Sequence, residues 1–208
     1  MSLTCQLIHE HANRLPRFHS PFPRESIPRN GIYFVFEQGE LAHGGDRIVR
    51  IGTHTGENQL YSRLRQHFEQ ESKDRSIFRK NIGRSLLNKN HNPLLRYWEY
   101  DLTSRQARTA YFNPEEDHLQ QQVEKQVSTY LREHVSIAVI PVDEASQRLI
   151  VEARLIASVA TCTDCAPSAN WLGQHSPKEK IRQSGLWLVN ELKNVPFTET
   201  EVLHVFPA

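Results

Sequence analysis

Apolar positions along the chain change period several times, and each change marks an element. Gly31-Ile32-Tyr33-Phe34-Val35-Phe36 is a run of β-branched and aromatic residues, which predicts a strand. Arg47-Ile48-Val49-Arg50-Ile51 alternates charged and apolar residues, as a half-buried strand does. The stretch between them, ending Gly44-Gly45-Asp46, predicts a turn. Beyond Gly52 a polar loop leads to Leu60, Leu64 and Phe68 at helical spacing, which sets Arg63 and His67 one turn apart beside that stripe. Ser76 predicts the cap of a helix carrying Phe78, Ile82 and Leu86. Residues 94–102 alternate and are rich in aromatics, so a strand is expected there. A polar helix is expected over 115–134, where Leu119, Val123, Val127 and Leu131 form the stripe.

The clearest buried-strand pattern is Val135 to Val142, followed by a helix over 144–160 with Asp143 as its cap. At 100° per residue, Leu149, Leu155, Ile156 and Val159 form the apolar arc of that helix, and Glu152 falls in its middle. An unpaired carboxylate there would cost several kcal/mol to desolvate. It must therefore be paired with an arginine such as Arg148 or Arg154, hydrogen-bonded, at a cleft rim or on a metal ion. At the two ends the pattern weakens. A helix over 2–15, capped by Ser2, gives way to an extended lead-in set by Pro16, Pro21, Pro23 and Pro28. Ser176-Pro177-Lys178-Glu179 reads as a capping box, and residues 201–206 as an edge strand. Trp187, between them, either packs inward or, if exposed, offers a face for stacking a base.

Composition narrows the class. With 208 residues, 38% of them hydrophobic, the chain can bury a real core. Its net charge of +1 gives no global pull toward nucleic acid, so any such pull must be local. From Tyr61 to Arg96 nine cations face three acids, Glu69, Glu71 and Asp74. Arg65, Arg75, Arg79, Lys80 and Arg84 are the candidate phosphate contacts, on the outer faces of the Ser76-capped helix and beside it; the alternative is an ordinary solvated face. The stretch from Glu99 to Glu124 is acidic and is expected to face away from a phosphate backbone.

Three cysteines argue for a reducing compartment, and no signal peptide or membrane span is visible, so a cytoplasmic location is expected. Cys162-Thr163-Asp164-Cys165, with His175 beyond it, invites a zinc reading. Zinc needs four ligands and only Cys5 remains among the thiols, so the expectation is two inert, reduced thiols and no zinc.

Gly31-Ile32-Tyr33, Arg50-Ile51-Gly52, Arg63-Leu64-x-x-His67, Glu152 in a later helix and Asn170 after Pro167 together resemble, in order, the core of a GIY-YIG nuclease. The tyrosine of the second motif stands as Arg50 here. The resemblance implies an α/β (α+β) fold with a small central mixed or antiparallel sheet flanked by helices. An N-terminal arm (1–29) would precede a nuclease domain (30–172, with an insert at about 69–134), and an extension (173–208) would pack on the same domain. It implies a metal-dependent endonuclease acting on DNA, with a duplex as the expected partner and Mg²⁺ or Mn²⁺ held by Glu152.

The roles it implies are Tyr33 and His67 handling the attacking water and its proton, Arg63 on the scissile phosphate and Asn170 orienting Glu152 or the phosphate. A phenol ionises near pH ~10 in water, so Tyr33 would need such a neighbour. Arg50 would contact phosphate, or His54 would take over the polar role of the missing tyrosine. A cleavage-deficient nucleic-acid-binding module of the same fold and a protein-interaction domain using the basic face are the alternatives.

Overall fold

The computed structural model describes residues 2–206. Helix α1 (Leu3–Arg14) is capped by the Ser2 side chain, which accepts from the Cys5 amide. Strands β1 (Gly31–Ala42), β2 (Gly45–Gly52) and β3 (Val135–Pro141) form one antiparallel sheet in the order β2-β1-β3. Helix α2 (Leu60–Phe68) and helix α3 (Ile77–Lys89) follow β2. A single turn α4 (Leu95–Trp98), α5 (Arg105–Tyr111) and the long α6 (Pro114–His134) lead straight into β3. Helix α7 (Ala145–Ala160) comes next, followed by α8 (Glu179–Ser184) and α9 (Glu199–Val202).

Why β1 is apolar throughout its first six residues follows from its place. It is the central strand, and both faces of the sheet are covered. Tyr33, Val35, Val49 and Ile137 face a core built with α2, α3, α6, Trp171 and Trp187. Ile32, Phe34, Phe36, Ile48 and Ile51 face a second core built with α1 and α7. Alternation would have left one face wet; a continuous run serves two cores.

The β1–β2 ladder carries a bulge that matters for the site. Val35 pairs with Arg50, yet Phe36 pairs with Ile48, so Val49 is the extra residue. Arg50 thus lies on the Tyr33 face while Ile48 and Ile51 fill the other core. Both arginines of β2 are buried. Arg47 donates through Nε and Nη2 to Glu40 Oε2 and through Nη1 to the Gly185 carbonyl at 2.6 Å.

Two expected strands are helical turns. At 94–102 the alternation is overridden because one turn of helix, α4, buries both Tyr97 and Trp98, and Trp98 Nε1 donates to the Lys80 carbonyl at 3.0 Å. At 201–206, Thr198 and Glu201 form a reciprocal capping box that starts α9. The box expected at Ser176 does not form. Lys178 is the N-cap of α8 without a side-chain bond, and Ser176 Oγ accepts from the Lys178 amide. Glu144, one residue beyond Asp143, caps α7.

Candidate active site

Register places Tyr33 opposite Gly52. A Cβ at Gly52 would lie 2.2 Å from Tyr33 Oη, so the phenol fits across β2 only because that residue is glycine. Tyr33 is fully buried and its hydroxyl has no partner. The His67 ring lies 5.9 Å from that of Tyr33 and meets Phe78 edge-on at 5.8 Å. His67 Nδ1 is 2.6 Å from Ser76 Oγ, the hydroxyl that also caps α3 by accepting from the Arg79 amide. Its Nε2 is buried and unpartnered. Burial holds His67 well below the usual imidazole range, and Arg50, Arg63 and Arg79 push the same way, so the ring is neutral near pH 7.

Arg50 reaches the same spot from β2. Its guanidinium sits 5.1 Å from the Phe78 ring centre and Nη1 donates to the Trp187 carbonyl at 2.6 Å, while Nε has no partner. Trp187 is itself fixed twice more. Its amide donates to the Val49 carbonyl at 2.7 Å, and Nε1 donates to Glu37 at 2.9 Å. The bulge therefore exposes one carbonyl for Trp187 and aims Arg50 at another. Arg63, half-buried on α2, donates to Gln66 Oε1 at 3.1 Å and to the Arg75 carbonyl at 3.4 Å.

Glu152 approaches from α7. The apolar arc of that helix runs out before its N-terminal end: Leu155, Ile156 and Val159 are buried, whereas Leu149 is 46% exposed. Glu152 consequently lies half-buried at the end of the packed face, in a cleft with Ile150, Glu191 and Asn194. Burial raises its carboxyl, against the pull of Arg50, the Thr53 amide that hydrogen-bonds it, and Arg63; Glu191 adds to the rise. None of the ion pairs among the described residues includes it. The two arginines of its own helix are engaged elsewhere. Arg148 donates to the carbonyls of Val142, Asp143 and Gly56, and Arg154 forks onto Glu201 at 2.7 and 2.9 Å.

A family model described as a GIY-YIG domain matches residues 6–206. The chain belongs to the GIY-YIG family. Members of this family are generally nucleases. No curated protein and no solved structure matches the chain.

Within this GIY-YIG domain, Tyr33, Arg50, Arg63, His67 and Glu152 are neighbours, and other expected site residues are not. His54 is a structural pin. Its Nε2 accepts from the Gly31 amide at 3.3 Å and Nδ1 meets the Gly56 carbonyl at 2.6 Å, which leaves neither nitrogen for chemistry. Asn170 is exposed at the opposite end of β1, beside Gln38, Gly39 and Glu40, because Ser168 and Trp171 on either side of it bind Glu40 and Glu37.

The basic face of α3 is not a face. Arg79 is fully buried and donates through Nε and Nη2 to Glu124 Oε2, with Ser128 as a further partner. Arg84 forks onto Glu99 at 2.6 Å through both nitrogens, and Lys80 binds the Glu99 carbonyl. The acidic stretch expected to turn away supplies those partners. Only Arg65, paired with Glu69 at 2.8 Å, and Arg75 stand exposed as anticipated. Trp187 is buried and offers no stacking face. Glu191 was missed by sequence reasoning; nothing in Val189-Asn190-Glu191 signals that its backbone, at φ 62°, turns it toward Glu152.

The two cysteines after α7 are not isolated either. Their sulfurs lie with Cys5 and His43, all four donor atoms being within 4.8 Å of one another, while the exposed His175 is elsewhere.

Proposed function

We propose that this protein is a metal-dependent endonuclease that hydrolyses phosphodiester bonds in DNA, with Tyr33, Arg50, Arg63, His67 and Glu152 as its working residues. The observation that carries the reading is the convergence of three buried, unpartnered polar atoms, Tyr33 Oη, His67 Nε2 and Arg50 Nε, near Glu152, which joins none of the ion pairs among the described residues. Buried polar groups are nearly always satisfied, so a cluster of exceptions calls for a missing partner such as water, phosphate or an ion.

The residues fit a divalent cation. Glu152 keeps its carboxylate free of every arginine on its own helix, and burial disfavours its charge in the absence of a cation. A hard cation bound through one carboxylate, completing its shell with water and substrate phosphate, suits Mg²⁺ or Mn²⁺. When bound, it would neutralise charge on the phosphate and its leaving oxygen.

The remaining work falls to the chain's own groups. In the tautomer that carries its proton on Nδ1, against Ser76 Oγ, neutral His67 presents a lone pair at Nε2 and can take a proton from Tyr33 or from water held by Tyr33. Arg50 and Arg63 supply positive charge toward the phosphoryl group, and Arg63 has the exposure to meet it first. Arg75, whose carbonyl Arg63 already touches, extends that charge along the surface.

The test is plasmid cleavage in Mg²⁺ and in Mn²⁺ with the parent protein and Glu152→Gln. Cleavage by the parent alone, abolished by chelation, is expected. Equal activity of the two proteins would remove Glu152 from the site. DNA binding without cleavage in either metal would establish the non-cleaving module instead.

A further inference from the structure

The cluster formed by Cys5, His43, Cys162 and Cys165 belongs to neither core packing alone nor the site above. Its members come from three separate segments: the first turn of α1, the β1–β2 turn, and the loop after α7, which supplies two of them. His43 holds a left-handed backbone, φ 52°, next to Gly44 at φ 79°. That turn delivers the imidazole to the loop: His43 Nε2 lies 3.5 Å from Cys162 Sγ. Cys5 Sγ and Cys165 Sγ are 3.7 Å apart, far beyond the ~2.05 Å of a disulfide.

Those two separations have a common geometric meaning. A tetrahedral zinc ion with Zn–S of ~2.3 Å and Zn–N of ~2.0–2.1 Å has S···S edges of ~3.8 Å and S···N edges of ~3.5 Å. The structure holds one pair of each kind at those edge lengths, and the widest pair is within 4.8 Å. Closing that pair onto a common centre takes about 1 Å of side-chain movement. Cys5 and Cys165 are buried while His43 and Cys162 are half-buried, so the cluster is closed on the protein side and reachable from the other. The Cys-x-x-Cys spacing of 162 and 165 supplies two adjacent ligands from one loop.

A second layer is present as well. His9 Nε2 accepts from the Ile48 amide at 3.1 Å, which places its proton on Nδ1. That N–H points at the Cys5 carbonyl, 3.0 Å away, with Cys5 Sγ at 3.5 Å. A donor held against a sulfur by the backbone favours the thiolate that binds metal.

We propose that Cys5, His43, Cys162 and Cys165 form a closed Cys₃His structural zinc site. Four protein ligands leave no open position, so the ion staples and does not catalyse. It ties α1, the β1–β2 turn and the end of α7 together, on the α1–α7 side of the sheet. Soft thiolate donors in a tetrahedral set select zinc over the hard cation proposed at Glu152.

Elemental analysis of the full-length protein, purified under reducing conditions and dialysed against EDTA, tests the site. The parent should retain about one zinc per chain. His43→Asn tolerates the left-handed turn and removes one ligand, and Cys162→Ser removes another at a half-buried position; each should retain at least ~10-fold less zinc. Glu152→Gln should keep its zinc, whether or not the protein cleaves DNA. Cobalt added to metal-free parent protein should give the thiolate-to-metal charge-transfer band and the visible d–d bands of a tetrahedral site. Parent protein with neither zinc nor that cobalt spectrum overturns the proposal. So do iron in place of zinc, zinc retained equally by both ligand variants, or zinc lost in Glu152→Gln.

Discussion

Two arginine-bearing regions lie side by side on the same face of the sheet and are built on opposite terms. On α3, Arg79 and Arg84 are buried, and each closes onto a carboxylate, Glu124 on α6 and Glu99 after α4. At the end of β2, Arg50 is almost as buried, yet it meets only a backbone carbonyl and leaves Nε bare, beside a histidine and a tyrosine with bare atoms of their own. The first region is electrostatically finished; the second keeps polar atoms without partners. Burial of a cation does not separate scaffold from site. The state of its hydrogen bonds does.

The most severe way to break that comparison is to remove a partner from the finished region. Arg79→Ala leaves Glu124 buried and unpaired, and should cost about 3–5 kcal/mol in urea unfolding. Under matched salt titration, DNA binding by whatever protein remains folded should keep the parent's slope, because Arg79 touches no phosphate. A marginal loss of stability together with a flatter slope would return α3 to the DNA surface.

In the unfinished region the order of effects is reversed: chemistry suffers and stability holds. Glu152→Gln should lower cleavage by on the order of 10²–10³, comparable to removing a principal charge-stabilising group elsewhere, with an unfolding midpoint close to that of the parent. A large drop in the midpoint would show that Glu152 is a packing residue.

Arg50 sharpens the contrast further. Its loss in Arg50→Ala should weaken both DNA binding and cleavage, cleavage by about tenfold or more. Arg50→Tyr should not raise cleavage above that of the parent, since it removes the charge proposed to face the phosphate. A rise in cleavage on introducing tyrosine would instead mark Arg50 as a substitution that weakens the enzyme.

The smallest effect concerns protons. The folded pKa of His67 lies below its unfolded value of about 6.5, so on acidification the unfolded chain takes up the proton first. Stability present above that pH should therefore decline as pH falls toward the folded value, by at most ~1.4 kcal/mol per pH unit from this group. His67→Gln should flatten that slope in urea melts between pH 7.5 and 5. An unchanged slope would assign the acid sensitivity to other groups.

Much of the candidate site's placement was legible because its residues obey local rules. Gly31-Ile32-Tyr33 read as a strand, Arg63 and His67 fell beside a helical stripe, and Glu152 stood out as a charge on an apolar arc. Each of those inferences needs only a period and a residue type. The basic helix misled for the same reason. A run of cations looks exposed until the carboxylates 15 and 45 residues away close on it, and no local pattern encodes that closure. The cysteine cluster was hidden similarly: its imidazole sits in a hairpin turn 119 residues before Cys162. Asn170 failed in another way. Its place after a proline matched the motif, but the buried carboxylates of β1 pull the residues on either side of it to the wrong end of the strand.

The triple hold on Trp187 bears on how far this domain can be trimmed. β2 is the outer strand of its sheet, and the Val49 carbonyl would otherwise be an open invitation to another chain's backbone. The segment around Trp187 occupies that invitation and, through its own carbonyl, steadies the guanidinium of Arg50. A chain ending at Ser184 would keep all three strands and every helix that carries a site residue. It would nonetheless present a sticky, bulged margin to its neighbours and release Arg50 from its tether, leaving a protein prone to edge-to-edge aggregation.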